Sequence, residues 1–231
     1  MPGMTSGAPG QNGMLHAEIS LANNALSVLI NPGMSPPGNT PVDPLVWTPA
    51  SHPNYTGKFA VLNGRAYNAQ YGWLASGFFS LPAGQAIWIE QLSLTGGAVA
   101  TYEGGNGSGL PMAGNGLTEP GMTLRPIFGT DGSSTFWKWY DPGYDPLVNF
   151  NAEGSGQMVH NWFASDSGLP SSIAYRVFVA DASDPLLVDA SIAAAQVRFN
   201  FVPEPTSLVL LGLAAVALRL RRRTVGSRSV P

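Results

Sequence analysis

What most limits the folds open to this chain is its punctuation. Through the first 202 residues, glycine, proline and asparagine turns interrupt each apolar run before it reaches helical length. The turn signals recur at intervals of roughly 8–12 residues, between segments rich in β-branched and aromatic side chains. With 28 Gly and 20 Pro in 231 residues, long helices are excluded from most of the chain, whereas short strands joined by turns are not. The expected fold is therefore mainly β, an antiparallel β-sandwich or jelly-roll-like body. Ten Phe, seven Tyr and six Trp supply a core for it, and no cysteine is present to staple it.

The segments can be placed along the chain. Residues 1–13 form a Gly/Pro/Ser-rich leader, and 14–202 form one β-sandwich body. "AEISLANNALSVLI" (17–30) reads as two strands turning at Asn23-Asn24. "KFAVLNGRAY" (58–67) reads as a hairpin at Asn63-Gly64, and "AIWIEQLSLTGGAVATYEG" (86–104) as another at Gly96-Gly97. "TLRPIFGTDGSSTFWKWY" (123–140) places a turn between two strands. "QMVHNWFA" (157–164), "IAYRVFVAD" (173–181) and "AAAQVRFNFVP" (193–203) are further strands, the last alternating Val197, Phe199 and Phe201 with Gln196, Arg198 and Asn200. "DPLLVDASIAA" (184–194) fits a strand or a short helix equally well.

Charge is distributed unevenly. Residues 1–202 hold six Lys/Arg against thirteen Asp/Glu, a net of −7, while 203–231 hold five Arg against Glu204, a net of +4; together they give −3. A body so poor in cations lacks the electrostatic footprint that nucleic acid requires, so no nucleic-acid partner is expected. Without cysteine, thiolate metal sites and a Cys nucleophile are excluded.

Sequence alone assembles no catalytic set, metal site or cofactor site. His16, His52 and His160 lie far apart and fit no metal-binding spacing. "GNGSG" (105–109) lacks the G-K-[ST] ending of a phosphate loop, and the G-x-S-x-G elbow of serine hydrolases is absent. Asp141 and Asp145 in "YDPGYDP", and Asp181, Asp184 and Asp189 in "DASDPLLVD", read as turn formers whose side chains bond nearby amides. The aromatic run "FWKWYDPGY" (136–144) is the one hint of a ligand. In a strand, Trp137 and Trp139 share one face, and Phe136, Lys138 and Tyr140 share the other. Trp137, Trp139 and Tyr140 could stack on the sugar rings of a polysaccharide; burial of both faces between two sheets is the competing reading.

The last 29 residues differ in kind. Leu208, Val209, Leu210, Leu211, Gly212, Leu213, Ala214, Ala215, Val216, Ala217 and Leu218 run without a charge or a polar stripe. A helix over about 206–220 would span roughly 22 Å at 1.5 Å per residue. That is short for a hydrocarbon core of about 30 Å, a gap that snorkelling arginines and local thinning can close. Pro203 and Pro205 bar the helix from continuing inward. Arg219, Arg221, Arg222 and Arg223 open the basic tail (219–231) and place it in the cytoplasm, with the body outside the membrane.

Pro203-Glu204-Pro205, the apolar helix and the arginine cluster together resemble the PEP-CTERM sorting signal of exported bacterial proteins. The resemblance covers only the final 25–30 residues or so, and the tail "TVGSRSVP" after the cluster is longer than is usual there. It implies processing by an exosortase, a membrane-embedded Cys-type transpeptidase, and a life near exopolysaccharide. The first twenty residues have neither a basic n-region nor an apolar h-region, so the true start is expected upstream of Met1. The expected protein is thus a non-enzymatic, exported cell-surface or matrix protein, anchored transiently in the inner membrane. A carbohydrate-binding module, a permanently tail-anchored protein and a hydrolase are the alternatives.

Overall fold

The computed structural model describes residues 14–32, 43–48, 57–77, 79–102, 126–132, 134–143 and 158–204. The leader 1–13, the loop 104–116, His52, Asp145 and everything from Pro205 onward lie outside them. Among the described residues no helix is long and apolar enough to cross a membrane. The expected membrane helix, 206–220, falls outside that set.

The described chain is mainly β, as its punctuation requires. In order, the strands are β1 (Leu15–Ala22), β2 (Ala25–Pro32), β3 (Leu45–Val46), β4 (Ala66–Asn68), β5 (Tyr71–Ala75), β6 (Gln85–Gly96), β7 (Ala100–Tyr102), β8 (Pro126–Gly129), β9 (Phe136–Tyr140), β10 (Val159–His160), β11 (Trp162–Ser165), β12 (Ser171–Asp181) and β13 (Ala195–Val202). They form three sheets, ordered β10-β5-β1-β2, β4-β11-β7-β8 and β3-β13-β12-β6-β9. Most pairs are antiparallel, but β1–β5 and β3–β13 are parallel. Parallel neighbours need a long crossover, and each of these pairs is separated in sequence by several other elements.

One core joins the sheets. Leu15, Ala17, Ile19, Tyr71 and Trp73 of the first sheet face Ile87, Ile89, Tyr175, Val177 and Phe199 of the third, while Phe128 and Phe163 enter from the second. Tyr71 stacks on Phe199 at 4.2 Å, and Trp73 meets Tyr175 edge-on at 5.4 Å. The second sheet turns its other face to a smaller cluster of Phe59, Leu62, Tyr67, Tyr102 and Trp162.

Local expectations fared unevenly. The first hairpin forms as expected, with Asn23 and Asn24 both left-handed at φ 51° and 55°, the geometry of a two-residue type I′ turn. The run before Asn63-Gly64 is a 3-10 helix (Gly57–Leu62) rather than a strand, because Phe59 and Leu62 seat in the smaller cluster from one turn. Gly96-Gly97 does end β6, yet no hairpin follows. Gly96 sits at φ 87° with an added Cβ only 2.0 Å from the Pro170 carbonyl oxygen, and the chain crosses to the second sheet as β7. "QMVHNWFA" divides at buried Asn161 into β10 and β11, which belong to different sheets. Asn161 holds the division in place by accepting from the Trp73 indole N–H (2.9 Å) and donating to the Tyr102 carbonyl (3.2 Å).

Candidate functional site

The last strand delivers the chain to Pro203-Glu204. β13 is hydrogen-bonded along both edges at its C-terminal end, antiparallel to β12 (Ser171 opposite Phe201) and parallel to β3 (Val202 opposite Val46). The Trp47 amide donates to the Val202 carbonyl at 2.9 Å. Phe199 and Phe201 are buried, and Phe201 stacks on Trp47 with centroids 4.4 Å apart and planes 16° apart. The Trp47 indole N–H donates to the Leu169 carbonyl at 3.0 Å.

Polar groups tie the same end. Asn200 accepts from Ser172 Oγ (2.8 Å) and donates to Asp43 Oδ2 (3.0 Å). The Tyr71 hydroxyl donates to Asp43 and accepts from the Asn200 amide (3.1 Å). Burial, and then that bond to Asp43, keep the Tyr71 phenol protonated well above its ordinary range. A depression of about 320 Å³ lies beside the exit, lined by uncharged residues including Pro44, Thr95, Pro170 and Ser172. Val202, Pro203 and Glu204 are half-buried. The folded body therefore ends at the motif itself, with no spacer between them.

Of the two readings of the aromatic strand, the structure gives the packed one. Trp137 and Trp139 are 1% and 0% exposed, pointing from β9 into the main core, and all six tryptophans are buried. Tyr140, on the other face of β9, is half-buried against Phe79 at 5.1 Å. Beside it Lys138 lies over the Trp88 ring and bonds to Asp141 and the Ala182 carbonyl. The competing reading, that both faces of β9 pack, is the one observed. Trp and Tyr on a strand do not themselves distinguish a platform from a core; only a second sheet laid over them does.

The aspartates behave as turn formers. Asp141 accepts from the Gly143 amide, Asp181 from Ser183, Asp184 from Leu186 and Asp189 from Ser191. Residues 184–194 are neither strand nor helix but a loop shaped by two such turns, at Asp184 and Asp189. Among the described residues no group of three or more His, Asp or Glu converges as a metal site would.

Two clusters were not legible in the sequence. His16 on β1 and His160 on β10, 144 residues apart, stand opposite the same residue of β5, Gly72. A Cβ on Gly72 would lie 2.6 Å from the His160 ring, so the glycine is what lets the imidazoles meet, Nε2 to Nε2, at 3.2 Å. The Ala69 carbonyl can only accept, so His160 Nδ1 carries the proton there (3.2 Å) and its Nε2 receives the one on His16. Burial, and then the neighbouring His16, push His160 down to about 3; burial also lowers His16, against the opposing pull of Glu18. The pair is thus neutral at ordinary pH.

The second cluster lies on the second sheet. Arg65 bonds Asp131 (2.7 Å), Asp166 (2.8 Å) and the Tyr102 hydroxyl, which in turn donates to Asp131. Burial, and then that bond to Asp131, push the Tyr102 phenol up to about 12.

Comparison with known proteins bears on the exit. The model of the PEP-CTERM protein-sorting motif matches residues 201–223. No curated protein and no solved structure matches the chain. The molecule is a β-rich body that ends in a sorting segment. It carries a PEP-CTERM motif, which marks it as an exported protein with a C-terminal sorting signal whose processing falls to an exosortase-type enzyme.

Proposed function

We propose that this is a non-enzymatic surface or matrix protein, held in the inner membrane by a helix over 206–220 until an exosortase-type enzyme cuts near Pro203-Glu204-Pro205. One backbone C–N bond breaks; the carbonyl passes to water or an acceptor amine, and the nitrogen leaves with the tail. The observation that carries this reading is the motif match over 201–223 at the end of a strand locked into the body. The uncharged 208–218 run and the arginines behind it support a span with the tail in the cytoplasm. In this reading the body is a sandwich whose tryptophans serve its core, and its place is the cell surface or the exopolysaccharide matrix.

The test is the mature C-terminus in cells that express an exosortase. Intact mass of the surface fraction should show the body without its basic tail. Glu204→Ala should abolish that trimming, and deletion of 208–218 should move the protein out of the membrane fraction while leaving its thermal unfolding unchanged. A surface protein that still ends at Pro231 would replace the sorting reading with a permanent anchor.

A further inference from the structure

The sorting motif and the fold overlap. The match begins at Phe201, yet Phe201 is a core residue, 1% exposed, and Val202 is paired with Val46 and bonded to Trp47. Only Pro203 and Glu204 separate this anchorage from Pro205, an extended reach of roughly 7 Å. A protease cleft takes an extended chain with several residues on either side of the cut bond, and strands already paired on both edges cannot supply them.

We infer that the end of β13 is a folded stop that sets the N-terminal limit of processing. The enzyme can engage the chain from Pro203 onward but cannot draw in Phe201–Val202 without unstacking Trp47, unzipping two strand pairs and breaking the Asp43–Tyr71–Asn200 network. The mature body accordingly ends at or after Pro203, its last strand intact. Release is coupled to folding: an unfolded body exposes upstream bonds that the folded one hides. This inference builds on the sorting reading for its biological setting, but the stop itself is a property of the fold.

The experiment therefore has two arms. In the first, the full chain in detergent is trimmed with a broad-specificity protease under native conditions, and products are read by intact mass. The wild type should lose its tail and halt at 203 or beyond. Proline resists many proteases, so a second variant inserts six Gly/Ser residues between Val202 and Pro203; its trimming should run into the spacer and halt at the end of β13. Phe201→Ala should speed cleavage upstream of Val202, on the order of a hundredfold, because the frayed end is populated more often. Trimming of the native wild type past Val202 would overturn the inference. In the second arm, the mature C-terminus from exosortase-expressing cells should never fall upstream of Pro203, and a product ending inside β13 would overturn the inference too. A chain left whole in cells, with the protease stop intact in detergent, would remove the sorting reading and leave the stop standing.

Discussion

The two ends of β13 are secured by different shares of remote and local contacts. At Val202 the chain is held by groups far away in sequence: Tyr71 and Asp43 are 129 and 157 residues from Asn200, and Trp47 caps Phe201. At the other end, some 26 Å away at about 3.3 Å per residue, the loop before Ala195 combines local turns with a few remote anchors. Asp181, Asp184 and Asp189 each accept from an amide two residues on. Asp189 also accepts from Gln85, Ala193 donates to the Asn24 carbonyl and accepts from the Leu26 amide, and Ile192 is buried in the core. Leu186 and Leu187 stand exposed there, at 71% and 62%. The Val202 end is thus built by tertiary contacts throughout. At the other end turn chemistry shapes the exposed stretch around Leu186 and Leu187, and remote bonds pin only the stretch from Asp189 to Ala193.

That contrast fails if substitutions at the two ends cost the same. The largest effect should come from Phe199→Ala, which removes a ring stacked on Tyr71 and packed on Trp73. It should lower stability by about 3–5 kcal/mol in urea unfolding. A loss under 1 kcal/mol would mean the core does not hold the Val202 end.

The histidine pair, another junction of remote residues, should respond to acid. His160 titrates near 3 in the fold and near 6.5 when unfolded, so the unfolded chain binds the proton first. Stability from this group is complete above about pH 6.5 and drains as pH falls toward 3. Between pH 6.5 and 4.5 the wild type should lose about 2–3 kcal/mol more than His160→Gln. Parallel pH profiles for the two proteins would refute the neutral pair.

Gly72→Ala should cost less, about 1–3 kcal/mol, by driving a methyl against the His160 ring. Combined with His160→Ala the penalty should shrink, and strict additivity in that double-mutant cycle would show that the ring is not what the glycine accommodates. Smallest of all, Asp184→Ala should cost under about 1 kcal/mol and Leu187→Ser about 0.5 or less. Melting temperatures that drop sharply for either would erase the distinction between the two ends.

Several elements could be read directly from neighbouring residues. The Asn23-Asn24 turn, the alternation along β13 and the aspartate turns rest on contacts within a few positions, and the sorting segment is read from the order of its residues alone. Turn chemistry and strand alternation act at that range, so the linear order reveals them. Where the reading failed, the missing information was a partner. "KFAVL" had the composition of a strand but found its best burial from a 3-10 turn, and the order of "FWKWY" left platform and core both open until a facing sheet covered it.

Sequence by itself thus determined that the chain would be β-rich, where many of its turns fall, and that it ends in an export signal. Tertiary structure alone decided which strands pair, that His16 and His160 meet over Gly72, that all six tryptophans are buried, and that the signal begins where the core ends. The reason is range. Covalent neighbours dictate turns and alternation, whereas burial and pairing depend on residues a hundred or more positions away, whose approach only the closed core can bring about.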